Sequence, residues 1–104
     1  MKSYRVEITA PAKQDIIDIF NYIADMLAVP NSAVKQYMRL QEAILKLDSF
    51  PERGSIYKGM SQKTKDLRFI LVDNYVVYYH IDEERHTVYI YRVLYSRRNV
   101  NTIL

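Results

Sequence analysis

Cationic and aromatic side chains suited to binding phosphates and bases are concentrated in the second half of this 104-residue sequence. Residues 51–104 hold nine Lys and Arg against six Asp and Glu, so the formal net charge of +3 arises there, and seven of the ten tyrosines lie between residues 57 and 95. Guanidinium groups pair with phosphates through two parallel hydrogen bonds, and tyrosine rings stack on unpaired bases. Without a metal, such cations can also stabilise a phosphate under attack by a 2′-hydroxyl, because they neutralise the developing charge. This pattern favours a nucleic-acid partner.

Two basic stretches contain most of these cations. Residues 53–68 carry five Lys and Arg against a single acid, Asp66, and residues 92–104 carry three arginines, Arg92 among them, and no acid. A simpler interpretation competes with phosphate binding: solvated cations and the tyrosines of a half-buried sheet give the same composition.

Several kinds of catalytic site are excluded by composition. The absence of cysteine excludes disulfides, thiolate zinc sites and cysteine nucleophiles, and two glycines are too few for a phosphate-binding loop or a dinucleotide fingerprint. The two histidines, His80 and His86, flank a predicted turn and have no third metal ligand in view. No acidic residue lies inside the predicted C-terminal strands, which argues against a glycosidase-type carboxylate pair. We therefore expect neither a metal nor a cofactor.

Apolar residues at helical spacing predict two helices after an N-terminal strand at residues 3–8. The first helix begins after the N-cap Thr9 and ends before Pro30, with Asp15 on its polar side. The second helix begins at a cap formed by Asn31 or Ser32 and ends near residue 50. Two amphipathic helices joined by so few residues form an antiparallel helical hairpin.

The apolar period changes from helical to alternating in the last third of the chain. Residues 51–65 lack periodicity and predict an exposed basic loop, whereas residues 67–72, 75–81 and 87–95 predict three strands joined by short turns, the first at Asp73 and Asn74. The order β-α-α-β-β-β predicts an α+β fold, an antiparallel sheet with an N-terminal strand and the helical hairpin packed on one face. The length predicts one domain over residues 1–104. No apolar run approaches the ~20 residues of a membrane span, and the lack of cysteine fits a cytoplasmic protein.

Four segments in this order resemble the RelE/ParE toxin superfamily. The C-terminal segment DNYVVYYHIDEERHTVYIYRVLYSRRN (73–99) resembles its closing β-hairpin, and YRVEITAPAKQDIIDIFNYIA (4–24) its opening strand and first helix. LDSFPERGS (47–55) resembles the exit of its second helix, and LRFILVDNYVVYY (67–79) its Leu-Arg strand followed by Asn/Gly-Tyr. Together these segments cover nearly the whole chain.

The resemblance implies the toxin half of a type II toxin–antitoxin module, which arrests growth when it is free. A small antitoxin protein binds and neutralises such a toxin, so the implied assembly is a hetero-oligomer with the antitoxin. Members of the superfamily act in one of two ways. RelE-like members cut mRNA in the ribosomal A site, whereas ParE-like members inhibit DNA gyrase and are not enzymes.

Departures from the ribonuclease pattern favour the ParE-like alternative slightly. Ribonuclease members usually carry basic residues on the first strand of the meander and an arginine directly after the Gly-Tyr; here that strand offers Arg68, and Val76 follows Tyr75. The motif VLYSRRN (93–99) is closer to the ParE-like Val-Leu-His-Gly-Arg-Arg-Asp, with Tyr95 where a histidine often sits. The alternatives are a metal-independent, ribosome-dependent mRNA endonuclease and a protein-interaction module with a decayed toxin site.

The candidate site residues follow from the basic stretches and this resemblance. A ribonuclease would use Arg68, Tyr95 and Arg98 as catalytic residues. In either toxin the target-binding candidates are Lys63, Lys65, Arg68, Arg97 and Arg98. The competing interpretations are a solvated tail for the last two arginines, an ion pair with a helix aspartate for Arg68, and closure of the core for Tyr95.

Overall fold

The computed structural model describes residues 3–26, 28–58, 66–98 and 103–104. Its helices are α1 (Ala10–Asn21), which continues as a π-helical turn (Tyr22–Met26), and α2 (Pro30–Leu45), which is followed by two short 3₁₀ turns (Lys46–Asp48 and Pro51–Arg53). Its strands are β1 (Arg5–Ile8), β2 (Ser55–Ile56), β3 (Arg68–Val72), β4 (Tyr75–Asp82) and β5 (Thr87–Tyr95). No helix within these residues is long and apolar enough to cross a membrane.

The five strands form one sheet in the order β1-β5-β4-β3-β2, with two helices packed on it. The predicted α+β class, the helical hairpin and the antiparallel β3-β4-β5 meander are confirmed. The sheet is mixed rather than wholly antiparallel, because β1 runs parallel to β5 in the register Arg5↔Thr87 to Ile8↔Ile90. No short turn joins these two strands, so local sequence did not fix their relative direction. The predicted basic loop also contains one short strand, β2, which pairs with β3.

The starts of the helices follow from local chemistry. As predicted, Thr9 caps α1: its Oγ1 accepts from the Ala12 N–H at 3.4 Å and donates to the Ile90 carbonyl at 2.8 Å, which ties the helix to β5. The second helix begins at Pro30 itself, without a side-chain cap, rather than after Asn31 or Ser32. Proline suits the first helical turn because the N–H that it lacks has no intrahelical acceptor there.

Two apolar clusters lie on opposite faces of the sheet. The larger cluster lies between the helices and the sheet and includes Val77 and Tyr79 of β4. Val76 and Tyr78 alternate with these residues and therefore belong to the other face. The residues of this second cluster are Val76, Tyr78 and Leu94 at its centre, with Tyr57, Phe69, Tyr91, Ile103 and Leu104 packed around them. The concentration of tyrosines thus forms a half-buried sheet, as the simpler interpretation of the composition predicted.

Tyr79 joins the central strand to the segment that follows α2. Its ring is fully buried, and burial raises the pKa of the phenol. The hydroxyl donates to the Pro51 carbonyl and accepts from the Gly54 N–H at 3.0 Å. A Cβ at residue 54 would lie 2.1 Å from this hydroxyl and 2.7 Å from the Phe69 carbonyl oxygen. Glycine is therefore required here by the close approach of its neighbours.

We expect Gly54→Ala to lower the free energy of unfolding by about 1–3 kcal/mol, because the new methyl group forces Tyr79 or β3 to move. Tyr79→Phe should cost a similar ~1–3 kcal/mol, since it leaves the buried Gly54 N–H and Pro51 carbonyl without their partner. Urea denaturation checks both, with the exposed Ser55→Ala as the control. The two losses should not add, because both changes disrupt one contact; strict additivity would contradict this account.

A second long-range contact holds the β3–β4 turn against α2. Nε and Nη2 of Arg39 each donate to a carboxylate oxygen of Asp73 at 2.7 Å, and Gln36 donates to the same carboxylate at 3.1 Å. The hydrogen bond from Arg39 is the main reason that the pKa of Asp73 lies below its usual value. Asp73 has a φ of 57°, a conformation that Asp and Asn tolerate better than most residues.

We expect Asp73→Asn to be slightly less stable than the wild type at pH 7, since asparagine suits the backbone but cannot form the ion pair. In the folded wild-type protein the pKa of the Asp73 carboxyl is below its unfolded value of about 3.9. The ion pair therefore contributes its full stability at any pH above the unfolded value. This contribution is lost as the pH falls through the lower folded value, and the two urea midpoints should converge. Asp25→Asn, at an exposed position, is the control for the loss of one carboxylate. A difference that stays constant down to pH 2 would contradict this assignment.

Candidate functional site

A groove lies at one end of the sheet, where α1 passes the β3–β4 turn and the end of β5. Its volume is about 650 Å³. The lining residues are Asp15, Asp18, Ile19, Tyr22, Asn74, Tyr75, Val93, Leu94, Tyr95 and Arg98. Two of the predicted site residues, Tyr95 and Arg98, therefore meet in one groove.

An ion pair between α1 and β5 fixes the floor of this groove. Nε and Nη2 of Arg92 donate to the two carboxylate oxygens of Asp15 at 2.7 and 2.8 Å, and the Val93 N–H donates to the same carboxylate at 2.9 Å. The hydrogen bond that Arg92 donates to Asp15 raises the pKa of the guanidinium above its usual value. The sequence placed Asp15 on a polar helix face and Arg92 in a basic tail. No local pattern reveals their contact, because 77 positions separate them.

Aromatic rings form one wall of the groove. The rings of Tyr75 and Tyr95 meet edge to face, with centroids 6.0 Å apart, and Tyr22 contributes a third phenol from the π-helical turn. Tyr95 is 41% exposed, so it does not close the core. Burial, and to a smaller degree its neighbour Tyr95, raises the pKa of Tyr75. All three rings can contact a ligand through an apolar face and a hydroxyl group. Tyr22 was not a predicted site residue, although it belongs to the segment 4–24 that resembles the first helix of the toxin superfamily.

Among the described residues, the free cation that lines the groove is Arg98, and Arg97 precedes it in the turn after β5. The Arg98 N–H donates to the Tyr95 carbonyl at 3.0 Å, and this turn brings the residue over the groove. Arg97 and Arg98 are exposed, and neither side chain forms an ion pair within the described ranges. They differ in this respect from Arg92, whose charge Asp15 neutralises.

Arg68 lies elsewhere and holds the backbone. Its Nη1 donates to the carbonyls of Gly54 at 3.0 Å and Glu52 at 3.3 Å, so it fastens the segment before β2 to β3. It lines a smaller hollow with His80 and three carboxylates, Glu52, Asp66 and Glu83, at the end of β4 away from the large groove. The competing interpretation, an ion pair of Arg68 with a helix aspartate, is not met among the ion pairs of the described residues. Lys63 and Lys65 lie outside the described residues.

The groove is suited to binding rather than to metal chemistry. No group of three or more His, Cys, Asp or Glu side chains within the described parts of the chain could hold a metal ion. Next to Arg98 the groove offers Asp15, which the Arg92 pair occupies, and Asp18, which accepts a hydrogen bond from Gln14 at 2.9 Å. The groove is suited to binding a protein segment that carries an anionic group. It offers three phenols, one free guanidinium and an apolar strip from Ile19 to the end of β5.

Solved structures of toxins share this fold. A structure from the chromosomal ParDE system of P. aeruginosa superposes with a TM-score of 0.72 at 16% identity, over 89% of this chain and 96% of that chain. The RelBE2 complex of Mycobacterium tuberculosis gives 0.61 at 22% identity, over 89% and 98%. A free RelE mutant of E. coli gives 0.62 at 12% identity, over 97% and 92%.

Sequence comparison supplies the family. No curated protein matches the chain significantly. The family model described as the ParE toxin of the type II toxin–antitoxin system parDE matches residues 6–100, which is most of the chain. The predicted RelE/ParE membership is confirmed, and the chain belongs to the ParE toxin family of type II toxin–antitoxin systems.

Proposed function

We propose that this toxin arrests growth by binding DNA gyrase and does not cut RNA. The observation that carries the proposal is the apolar cluster on the sheet face away from the helices. The ribonuclease branch places basic residues on the first meander strand and directly after the Gly-Tyr; here Phe69 and Val76 occupy that region and pack into the cluster, with Val76 6% exposed. Among the described residues, this cluster holds no cation that could stabilise the phosphate during cleavage.

The remaining arginines support the same conclusion. Arg68 binds backbone carbonyls, and Arg92 is paired with Asp15 of α1. Arg97 and Arg98, beside the tyrosine-lined groove, remain available to a target. Aromatic rings around a free guanidinium are typical of the centres of protein–protein interfaces. We therefore assign target contact to Arg98 and Tyr95, with Arg97 at the rim.

We further propose that the toxin is held inactive in a hetero-oligomer with an antitoxin protein. Several structures with this fold are toxin–antitoxin complexes, among them the RelBE complexes of E. coli and of Pyrococcus horikoshii OT3. The helical hairpin exposes large apolar side chains that a partner could cover. They are Ile17, Tyr22, Met26, Val34, Tyr37 and Met38. Action on gyrase places the protein in the cytoplasm, and we propose that residues 1–104 act as one domain.

Induced expression in a growing bacterium, with DNA, RNA and protein synthesis followed in parallel, tests the target. We expect DNA synthesis to fall first, with gyrase trapped on cleaved DNA, and the purified toxin to inhibit supercoiling by gyrase. An early fall in protein synthesis with mRNA cut in the ribosome would instead establish the RelE-like endonuclease. Normal growth at high expression would favour the decayed interaction module. Co-expression of a small acidic antitoxin encoded by a neighbouring gene should restore both growth and yield.

A further inference from the structure

A bulge in β5 separates the part of this strand that pairs with β1 from the part that borders the tyrosine-lined groove. The pairing with β1 ends at Ile90, and the register of β5 with β4 then shifts so that Tyr91 has no partner on β4. An extra residue in one strand moves the alternation of its N–H and C=O groups by one position. Beyond the bulge, no strand of the described chain pairs with the outer side of β5.

Two hydrogen bonds fix the direction of the main-chain groups beyond the bulge. The Ser96 N–H donates to the Asn74 carbonyl at 2.8 Å, so the residue before it, Tyr95, directs its own N–H away from β4. The Val93 N–H also points away from β4, because it donates to the Asp15 carboxylate at 2.9 Å. The Val93 C=O lies on the same side as its N–H. Within the described ranges, neither this carbonyl nor the Tyr95 N–H has a hydrogen-bond partner.

These two main-chain groups belong to one wall of the tyrosine-lined groove. The groove holds about 650 Å³ between the end of β5 and the side of α1 that carries Ile19 and Tyr22. In parallel pairing, a ligand residue opposite Leu94 donates its N–H to the Val93 carbonyl and accepts from the Tyr95 N–H. Because β1 also pairs parallel with this side of β5, an extended ligand would continue the line of β1.

Arg98 gives this wall of the groove its charge. Its N–H donates to the Tyr95 carbonyl, and its exposed side chain forms no ion pair within the described parts of the chain. Of the two carboxylates in the groove, Asp15 is neutralised by Arg92, and Asp18 lies on the wall formed by α1. The wall formed by β5 and its turn therefore favours an anionic group.

We propose that the tyrosine-lined groove holds an extended segment of the target protein, paired parallel to β5 through the Val93 C=O and the Tyr95 N–H. A carboxylate of the segment binds Arg98, and an apolar side chain packs against the tyrosine rings. A helix cannot use the two main-chain groups in this way, because its own N–H and C=O groups bond to one another. The proposal rests on the assignment of this groove to gyrase, and it adds the conformation and direction of the bound segment.

Hydrogen exchange of the whole chain, read at single residues, tests the pairing. In the free toxin the Tyr95 N–H should exchange at least about tenfold faster than the N–H groups of Val93 and Leu94, which already have acceptors. Exchange is then allowed in the complex with gyrase and is read after the toxin is released. The Tyr95 N–H should slow at least about tenfold, whereas the exposed Glu84, at the opposite end of the β4–β5 hairpin, should be unaffected.

Two substitutions at residue 95 separate main-chain pairing from contact with the ring. Tyr95→Ala removes the ring and keeps the N–H, whereas Tyr95→Pro removes both. Proline is tolerated at a strand position whose N–H makes no hydrogen bond within the sheet, so the two variants should unfold at similar urea concentrations. Tyr95→Pro should inhibit supercoiling by gyrase about tenfold more weakly than Tyr95→Ala.

The outcomes distinguish this inference from the gyrase assignment. Inhibition of gyrase by the wild type, with equal effects of the two folded variants or with no slowing at Tyr95, would overturn the inference and leave the assignment intact. A wild-type toxin that neither binds nor inhibits gyrase would overturn both. If Tyr95→Pro does not fold, the exchange measurement on the wild type still decides.

Discussion

Replacing Asp15 with alanine should lower the free energy of unfolding by about 3–5 kcal/mol, the cost of leaving one partner of a buried ion pair alone. The side chains of Asp15 and Arg92 are 10% and 24% exposed, so water replaces the lost carboxylate poorly. The Val93 N–H loses its acceptor in the same variant. Urea denaturation at pH 7 measures the loss.

The control is Asp18→Ala in the same helix, whose carboxylate is exposed and bonded only to Gln14; it should change stability by less than about 1 kcal/mol. The stability lost in Asp15→Asn should lie between the losses in Asp15→Ala and Asp18→Ala, because the amide oxygen can still accept from the Val93 N–H. Replacing Asp15 and Arg92 together with Leu and Met should restore much of the stability, since no unpaired charge then remains. An Asp15→Ala protein that unfolds at the wild-type urea concentration would contradict the structural role of the pair.

Arg98→Ala should weaken interaction with the target ten- to hundredfold, which corresponds to about 1.5–3 kcal/mol for one charge-assisted contact. The Arg98 side chain is exposed, so the melting temperature should stay nearly unchanged. The measurement is the toxin concentration that halves supercoiling by gyrase, together with growth after induction. Arg98→Lys should restore only part of the activity, because an ammonium group keeps the charge but not the planar pair of donors.

Arg85→Ala is the matched control for Arg98→Ala. It removes the same charge from an exposed position at the opposite end of the β4–β5 hairpin, and it should leave activity unchanged. Salt distinguishes the targets: an RNA phosphate contact should weaken steeply as salt rises, and a largely apolar contact with gyrase should not. Full toxicity of a folded Arg98→Ala protein would return Arg98 to the status of a solvated tail residue.

The candidate site was predictable only in part. The motif at the end of β5 identified Tyr95 and Arg98, and both line the large groove. The basic stretch 53–68 and the resemblance to a Leu-Arg strand made Arg68 a candidate, but its guanidinium donates to the carbonyls of Glu52 and Gly54. Sequence cannot distinguish a guanidinium that binds a ligand from one that binds the chain, because the acceptors are backbone atoms that every residue has.

The short-range pattern of the sequence determined the secondary-structure elements. Alternating apolar residues and the short turn at Asp73 and Asn74 predicted the C-terminal strands, and the third one, Thr87–Tyr95, has the predicted bounds. Helical spacing and the Thr9 cap predicted α1 and its start. These signals come from neighbours within a few positions, where side-chain period and turn chemistry directly constrain the backbone.

Only the tertiary structure decided which remote residues meet. The parallel pairing of β1 with β5, the Asp15–Arg92 ion pair and the Tyr79–Gly54 contact join positions 25 to more than 75 residues apart. The outer edge of β5 beyond Ile90 is likewise left open because β1 pairs with only the first part of this strand. Such contacts leave no periodic signal in the sequence, since they depend on how the helices and the sheet pack and not on the spacing of residues within one element.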